Sequence, residues 1–574
     1  MTRTRIHLST AAVLAMLATP LAARPAPAPT SAPADLVLLH GHVIPMTGAD
    51  ARAEALAVRG GRIVAVGSDA QITPLRGKAT QVIDLAGRTL LPGFIDAHGH
   101  ITGVAQSLGL ADLSPPPVGA VGDIAGLQAA LRVQAKAVAD GWIFGRGYDD
   151  AELAEHRHPT RQELDAVSAD RPVAIIHASG HLAVLNTKAL ELTGQLHGAK
   201  DPAGGVIRRE ADGVTANGVV EEAALWQVMA GAPRPTPAQA LAQLRTAQDI
   251  YASNGLTTAQ DGATSPEGWA LLQGAAQAGA LVLDIDALPL LNAKWPALDQ
   301  LPFNQPYDHR LRVAGVKLLL DGSPQGRTAW LSHPYFVPPP GREHDYAGYP
   351  QFTDDALRGK LAEASGHKWQ VYAHVNGDAA IQQYIDAIGW VAQHGPAPLV
   401  RSIAIHAQTA RTDQLAAMKA LDIEPSFFAS HTFFWGDWHR DKVLGPQRAD
   451  HISPQREAFD AGLHPTIHSD APVTPPNVIR LIWSATTRRT RSGDILGPAE
   501  RVSAYEALQE VTSNAAYEIH EEASKGTLEV GKLADLVILN GDPLTLPIEQ
   551  LMTLKVSATL KEGKVIFADG TSKR

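Results

Sequence analysis

Leu90-Leu91-Pro92-Gly93-Phe94-Ile95-Asp96-Ala97-His98-Gly99-His100 is the stretch on which the fold turns. An apolar run of strand length, Gly93 to Asp96, passes directly into two histidines spaced one residue apart. Side chains alternate along an extended chain, so His98 and His100 project to the same side and two imidazoles share one site. A parallel α/β fold builds its active site in this way, from polar groups at the C-terminal ends of apolar strands.

Seven further stretches of the same kind follow: Leu256 to Gln260, Val282 to Asp286, Gly315 to Leu320, Gln370 to His374, Ser402 to His406, Ile423 to Phe427, and His464 to His468. They alternate with helical stretches, and eight parallel strands with intervening helices predict an α/β protein, a (β/α)8 TIM-type barrel over 90–523. The gap between the first two strands is too long for one crossover, so about 102–240 is expected to hold an inserted cap subdomain. Short β-like runs separated by glycine turns occupy 34–89 and return in 524–574, and the two ends are expected to complete one small β-sandwich. Arg59-Gly60-Gly61-Arg62 and Gly145-Arg146-Gly147 lack the ending and the strand-to-helix spacing of phosphate loops, and read as turns.

The chain has 574 residues, 45% hydrophobic and 19% charged, which is an ordinary folded composition with room for a large core. Lys and Arg number 49 against 59 Asp and Glu, a formal net charge of −10, so nothing general draws it to nucleic acid. There is no cysteine, which excludes disulfides, thiolate metal sites and cysteine nucleophiles and leaves any metal to histidines and oxygens. Arg3 and Arg5, the apolar run Ala11 to Ala18 and the small residues near Ala23 have the order of a signal peptide over 1–23, with a Pro- and Ala-rich linker over 24–33. A periplasmic or secreted protein with no membrane span is expected, and an oligomer is compatible with the sequence.

The strand ends carry a pattern. After His98 and His100 the fourth strand offers Lys317, the fifth His374, the sixth His406, and the eighth ends His468-Ser469-Asp470. One histidine at a strand end is commonly a hydrogen-bonded structural residue, but recurrence across five strands is not a coincidence of composition. Imidazole and carboxylate are the ligands that suit zinc in a hydrolytic site with open positions. No Gly-x-Ser-x-Gly elbow is present, which argues against a serine hydrolase of the α/β-hydrolase type.

Leu90 to His100 resembles the metal motif of the amidohydrolase superfamily, and Gly526-Thr527-Leu528-Glu529-Val530-Gly531-Lys532-Leu533-Ala534-Asp535-Leu536-Val537 resembles its C-terminal signature. Asp149-Asp150, Gly180 to Asn186, Asp321-Gly322-Ser323 with Arg327-Thr328-Ala329, and His374 to Asp378 resemble the amidohydrolase-3 or YtcJ-like branch, which includes N-substituted formamide deformylases. The resemblance implies two divalent cations, zinc by ligand type, bridged by a carbamate that CO2 forms on Lys317. It implies that His98, His100 and Asp470 hold one metal and His374 and His406 the other. It further implies a metal-bridging hydroxide as nucleophile, with Asp470 as general base and then general acid.

With Asp470, His181 and His431 are the candidate catalytic residues, and Trp330, Arg327, Phe427 and Phe434 are candidates for the substrate pocket. His181, in the cap, is placed to hydrogen-bond a substrate carbonyl or leaving group, and His431 follows the seventh strand in a run of aromatic residues with Phe427 and Phe434. Trp330 and Arg327 complete the set, and such a wall favours an apolar or aromatic group. The expected activity is hydrolysis of a carbon–nitrogen bond other than a peptide bond, in a small amide, N-substituted formamide or cyclic amide. The alternative on the same barrel is an esterase, lactonase or carbamate hydrolase, or a non-hydrolytic isomerase.

Overall fold

The computed structural model describes residues 32–570, apart from 139, 230, 232–233, 292–294 and 296. The expected signal peptide and all but the last two residues of the linker lie outside the described residues. Each of the eight stretches singled out above contains a strand: β1 (Phe94–Ile95), β2 (Leu256–Thr264), β3 (Asp284–Pro289), β4 (Val316–Leu319), β5 (Val371–Val375), β6 (Ser402–His406), β7 (Ile423–Phe427) and β8 (Thr466–Ile467). All pair in parallel and in chain order, β1 to β3 in one sheet and β4 to β8 in another. Strands such as Val371–Val375 are buried at every position, as expected of a parallel sheet covered on both faces.

The two sheets meet at β4. Leu311–Val313 pairs with β3, and the chain then passes Ala314 and Gly315 before continuing as β4, where Lys317 bridges to Leu290. A side chain at Gly315 would meet the Gln370 carbonyl oxygen at 2.5 Å, so only glycine lets the strand pass this close to β5. Helices cover the outside. In Asp378–His394 the buried Ile381, Tyr384, Ile385, Ile388 and Val391 recur at helical spacing. Asp378 lies in the first turn, His394 in the last, and Gly395 then Pro396 end the helix. Each large apolar side chain buried in this way contributes roughly 1.5–3 kcal/mol.

Both chain ends build one flanking sheet. Thr89–Pro92 pairs antiparallel with Leu536–Leu539, which continues to Val556–Lys561 and Lys564–Ala568. Leu90 to Pro92 therefore belong to this sheet, and the chain crosses into β1 at Gly93, whose N–H donates to the Asp535 carbonyl. A second four-stranded sheet from 34–84 packs with it through Leu36, Leu56, Leu90, Leu536 and Leu560. Arg59 pairs with Arg62 in a hairpin whose turn is Gly60 and Gly61, both at positive φ.

Between β1 and β2 lies a six-stranded sheet that runs from Ala111–Asp112 to Ala216–Glu222 in sequence. The flanking helices Ile101–Ser107 and Pro237–Ser253 pack on each other and share the main core with β1 and β2. The insertion proper therefore starts about ten residues after Thr102. No helix among the described residues is long and apolar enough to cross a membrane.

Candidate metal centre

The C-terminal ends of the strands bring the predicted ligands together. His98 and His100 lie with ring centroids 5.0 Å apart, and Asp470, after β8, comes between them. Its Oδ1 is 2.9 Å from His100 Nε2 and 3.5 Å from His98 Nε2. One ligand atom from each of the three lies within 4.8 Å of the others. His98 Nδ1 is 2.8 Å from Gln260 Oε1. The amide oxygen only accepts, so Nδ1 carries the proton and the Nε2 lone pair faces the site.

The second group lies beside the first, the ring centroids of His98 and His406 5.7 Å apart. His374 Nε2 donates to the Gly322 carbonyl at 3.1 Å, which leaves Nδ1 as the lone-pair nitrogen, and that atom lies 3.0 Å from His406 Nε2. Two nitrogens bound to one zinc at ~2.1 Å would stand roughly 3.4 Å apart in a tetrahedron, so the pair is close to ligand geometry. Lys317 stands beside the first group, its Nζ 3.0 Å from His98 Nε2.

Electrostatics supports the same reading. Burial holds His98, His374 and His406 well below the ordinary histidine range, so all three are neutral and able to coordinate. Burial also pushes the Lys317 ammonium down to about 7, against the weaker pull of Asp470 and Glu518. Burial acts to raise Asp470, but the hydrogen bond from His100 together with the charges of His100, His468 and Lys317 outweighs this and keeps it below the usual carboxylate range. Neutral imidazoles, an ionised carboxylate and a deprotonable amine fit a pair of divalent cations.

A small cavity opens beside these groups, lined by Ser179, His181, Ser323, Gln325, Phe428 and His431 together with His374, His406 and Asp470. His181 reaches it from the cap with Nδ1 2.8 Å from Glu222 Oε2, and its ring centroid is 4.9 Å from that of His374. His431 Nδ1 is 3.0 Å from His439 Nε2.

The other pocket candidates lie elsewhere. Ser426 points into the barrel, bonding His468 at 3.0 Å, so alternation turns Phe427 outward into the main core and brings Phe428 to the cavity. Phe434 packs with Ala178, Phe428 and Trp435 behind the wall. Trp330 packs against the main core, its backbone N–H donating to Asp321, and the Arg327 guanidinium lies 5.4 Å from the Trp438 ring. None of these four lines the cavity.

Four contributors had no assigned role in the sequence reading. His468 Nε2 is 3.0 Å from His406 Nδ1, and its position two residues before Asp470 was the available signal. Gln260 and Glu222 come from distant segments and carry no local motif. Asp321 accepts the N–H groups of Trp330, Asn376 and Gly377 and thereby fixes the loop beyond β5.

A TIM-barrel-type α/β hydrolase with a candidate metal centre is the class that this fold and site define. Residues 81–567 match the amidohydrolase family model, and the chain belongs to that family. The N-substituted formamide deformylase of Arthrobacter pascens is 27% identical over 92% of this chain and 97% of its own length. The YtcJ protein of Bacillus subtilis is 28% identical over 92% of this chain and 98% of its own. Among solved structures, a metal-dependent hydrolase from Pyrococcus horikoshii covers 90% of this chain and 99% of itself with a TM-score of 0.70 at 24% identity, a likeness of fold.

Proposed function

We propose that the protein is an exported metal-dependent amidohydrolase that cleaves a carbon–nitrogen bond other than a peptide bond. The substrate class is a small amide, N-substituted formamide or cyclic amide. The observation that carries the reading is the convergence of His98, His100 and Asp470 with His374 and His406 about Lys317. The fold is read as one closed (β/α)8 barrel, supported by the Asp470 N–H bond to the His98 carbonyl and the His100 N–H bond to the Ala471 carbonyl, which tie β8 to β1. The barrel is read as running from β1 to about 523 with the six-stranded sheet over 111–222 as an inserted cap, and 34–92 with 524–574 as the sandwich. Export rests on the order of residues in 1–23.

His98, His100 and Asp470 would hold one cation, His374 and His406 the second, with Lys317 as a carbamate between them. Zinc is the cation that these nitrogen and oxygen donors suit best. Bound there, such cations activate water and polarise a carbonyl. Lys317 is suited to modification because its pKa, pushed down to about 7, leaves much of the amine neutral near neutral pH, and only the neutral amine attacks CO2. Asp470 has a carboxylate held in the ionised form beside the cavity, where it accepts a proton and returns it to a departing nitrogen. Glu222 fixes His181 Nδ1, so the other ring nitrogen of His181 is the one available to a substrate oxygen or leaving group.

The test is metal content of the mature protein after expression with zinc and bicarbonate, followed by rates on formanilides, short acyl amides, esters and lactones. About two metals per chain and turnover of amides are expected. Turnover of esters or lactones alone would move the reaction to the alternative class, and a protein without metal or turnover would overturn the reading.

A further inference from the structure

Away from the metal ligands, the cap contains a buried trio, Asp149, Asp150 and His177, with ligand-type atoms within 4.8 Å of one another. His177 Nδ1 accepts the Ser179 backbone N–H at 3.1 Å, and a backbone N–H can only donate. Nδ1 therefore supplies the lone pair and Nε2 keeps its hydrogen, 3.2 Å from Asp150 Oδ1 and 3.6 Å from Asp149 Oδ1 without a hydrogen bond to either. With its hydrogen on Nε2, the imidazole faces the two carboxylates through a charge interaction and offers them no lone pair.

Asp149 links this trio to the helix after β7. Its Oδ2 accepts the indole N–H of Trp435 at 2.5 Å, while Oδ1 accepts the Ala151 N–H at 3.0 Å. Trp435 lies on the helix His431–Trp438 after β7, its ring 4.5 Å from that of His431, which lines the cavity. On the cap side His177 leads into Ser179 and His181, which line the same cavity, and the Ser179 hydroxyl accepts the His181 N–H at 3.2 Å. A second cap-to-barrel tie, Arg491 to Glu152, lies on the same loop.

We infer that Asp149 is a positioning residue whose carboxylate fixes the cap against the aromatic helix, so that His431 and the Ser179–His181 turn face one cavity. Its effect on substrate rests on the amidohydrolase reading. Two hydrogen-bond donors reach the Asp149 carboxylate, the Trp435 indole N–H and the Ala151 backbone N–H. Asparagine supplies one acceptor oxygen and places an N–H against one of these donors.

The experiment is a double-mutant cycle of Asp149→Asn and Trp435→Phe, reading kcat, KM, metal content and thermal midpoint on the full chain. D149N is expected to raise KM about tenfold with kcat within about threefold and metal content unchanged. In the W435F background the indole donor is gone, so the same change is expected to cost less than about twofold. Ultraviolet resonance Raman difference spectra, wild type minus W435F, isolate the Trp435 indole and are expected to lose their hydrogen-bonded N–H signature in Asp149→Ala. Additive effects in the cycle, or a lowered midpoint with KM unchanged, would reduce Asp149 to a structural residue and overturn the inference. The Raman arm needs no turnover, so a wild type inactive on every amide fails the functional reading alone, and an unshifted signature in D149A fails this one.

Discussion

Lys317 and Lys525 are both buried, and burial treats them in opposite ways. Lys525 Nζ sits 2.8 Å from Asp284 Oδ2 and 3.1 Å from Glu521 Oε2, and it also contacts the Thr258 and Tyr307 hydroxyls at 3.2 Å. Burial acts to lower its pKa, but the charges of Tyr307, Asp284 and Glu521 more than offset this, and the ammonium is held well above the ordinary range. Lys317 has an imidazole at 3.0 Å and makes no ion pair among the described residues, so burial dominates and its pKa falls to about 7. Where the N-terminal end of β3 meets the flanking sheet, charge is buried with its partners to join two parts of the fold. At the metal centre charge is buried without them, which is the condition of a group reserved for chemistry.

The largest expected difference follows from that contrast. Lys317→Ala should lose activity by at least about 10³-fold together with bound metal, and a short carboxylic acid supplied in the buffer should restore part of both. Rates and metal content with and without the acid check this; full metal binding without rescue would break the comparison. Asp470→Asn should lower kcat by about 10²- to 10⁴-fold while keeping most of the metal, since it removes the proton acceptor and leaves four imidazoles in place.

At the other lysine the expected effect is on stability. Asp284 also receives Lys561 and lies 3.1 Å from Arg310, so Asp284→Asn leaves several buried cations without their shared anion. A loss of about 3–5 kcal/mol in urea unfolding is expected, with kcat per folded molecule unchanged.

The pH dependence of stability separates two buried acids in the same way. Asp284 is held below its ordinary range: burial acts to raise it, but Lys525 and Lys561 outweigh burial. Its contribution is complete above the unfolded pKa of ~3.9 and is lost as the pH falls through the depressed folded value. Burial pushes Glu518 up to about 8, only partly offset by the Thr466 hydroxyl. Between ~4.3, where the unfolded acid ionises, and about 8 the folded chain binds the extra proton, so stability falls as pH rises. Urea midpoints across pH 3 to 9 should therefore show Glu518→Gln flattening the alkaline side by on the order of 1–3 kcal/mol. Asp284→Asn should flatten the acid side.

What was legible in the sequence divides along the same physical line. The strands and the residues at their ends were readable because period-two alternation and the Asp-Ala-His-Gly-His run are local. The sheet to which Leu90 to Pro92 belong was not, because its partner Leu536–Leu539 is more than 400 residues away. Gln260 and Glu222 escaped for the same reason: each acts through a histidine far along the chain, His98 for one and His181 for the other. Of the aromatic run after β7, the sequence does not tell which ring faces the cavity, since Phe427, Phe428 and Phe434 cannot be told apart until the strand face and the helix packing are fixed by their neighbours.

The distinction between Phe427 and Phe428 gives the smallest prediction. Ser426 contacts His468 inside the barrel, and because the strand alternates, Phe427 faces the helices while Phe428 reaches the cavity beside His431, ring centroids 4.5 Å apart. Phe427→Leu removes volume from a packed core, and a loss of about 1 kcal/mol is expected with kcat/KM unchanged. Phe428→Leu opens the cavity wall, and a change in KM of about three- to tenfold is expected, favouring amides with a larger group beside the carbonyl. Both variants are read by urea unfolding and by rates on a series of formamides and acyl amides of increasing size. If Phe427→Leu moved the size preference and Phe428→Leu did not, the face assignment of β7 would be reversed, and with it the argument that places His431 in the cavity.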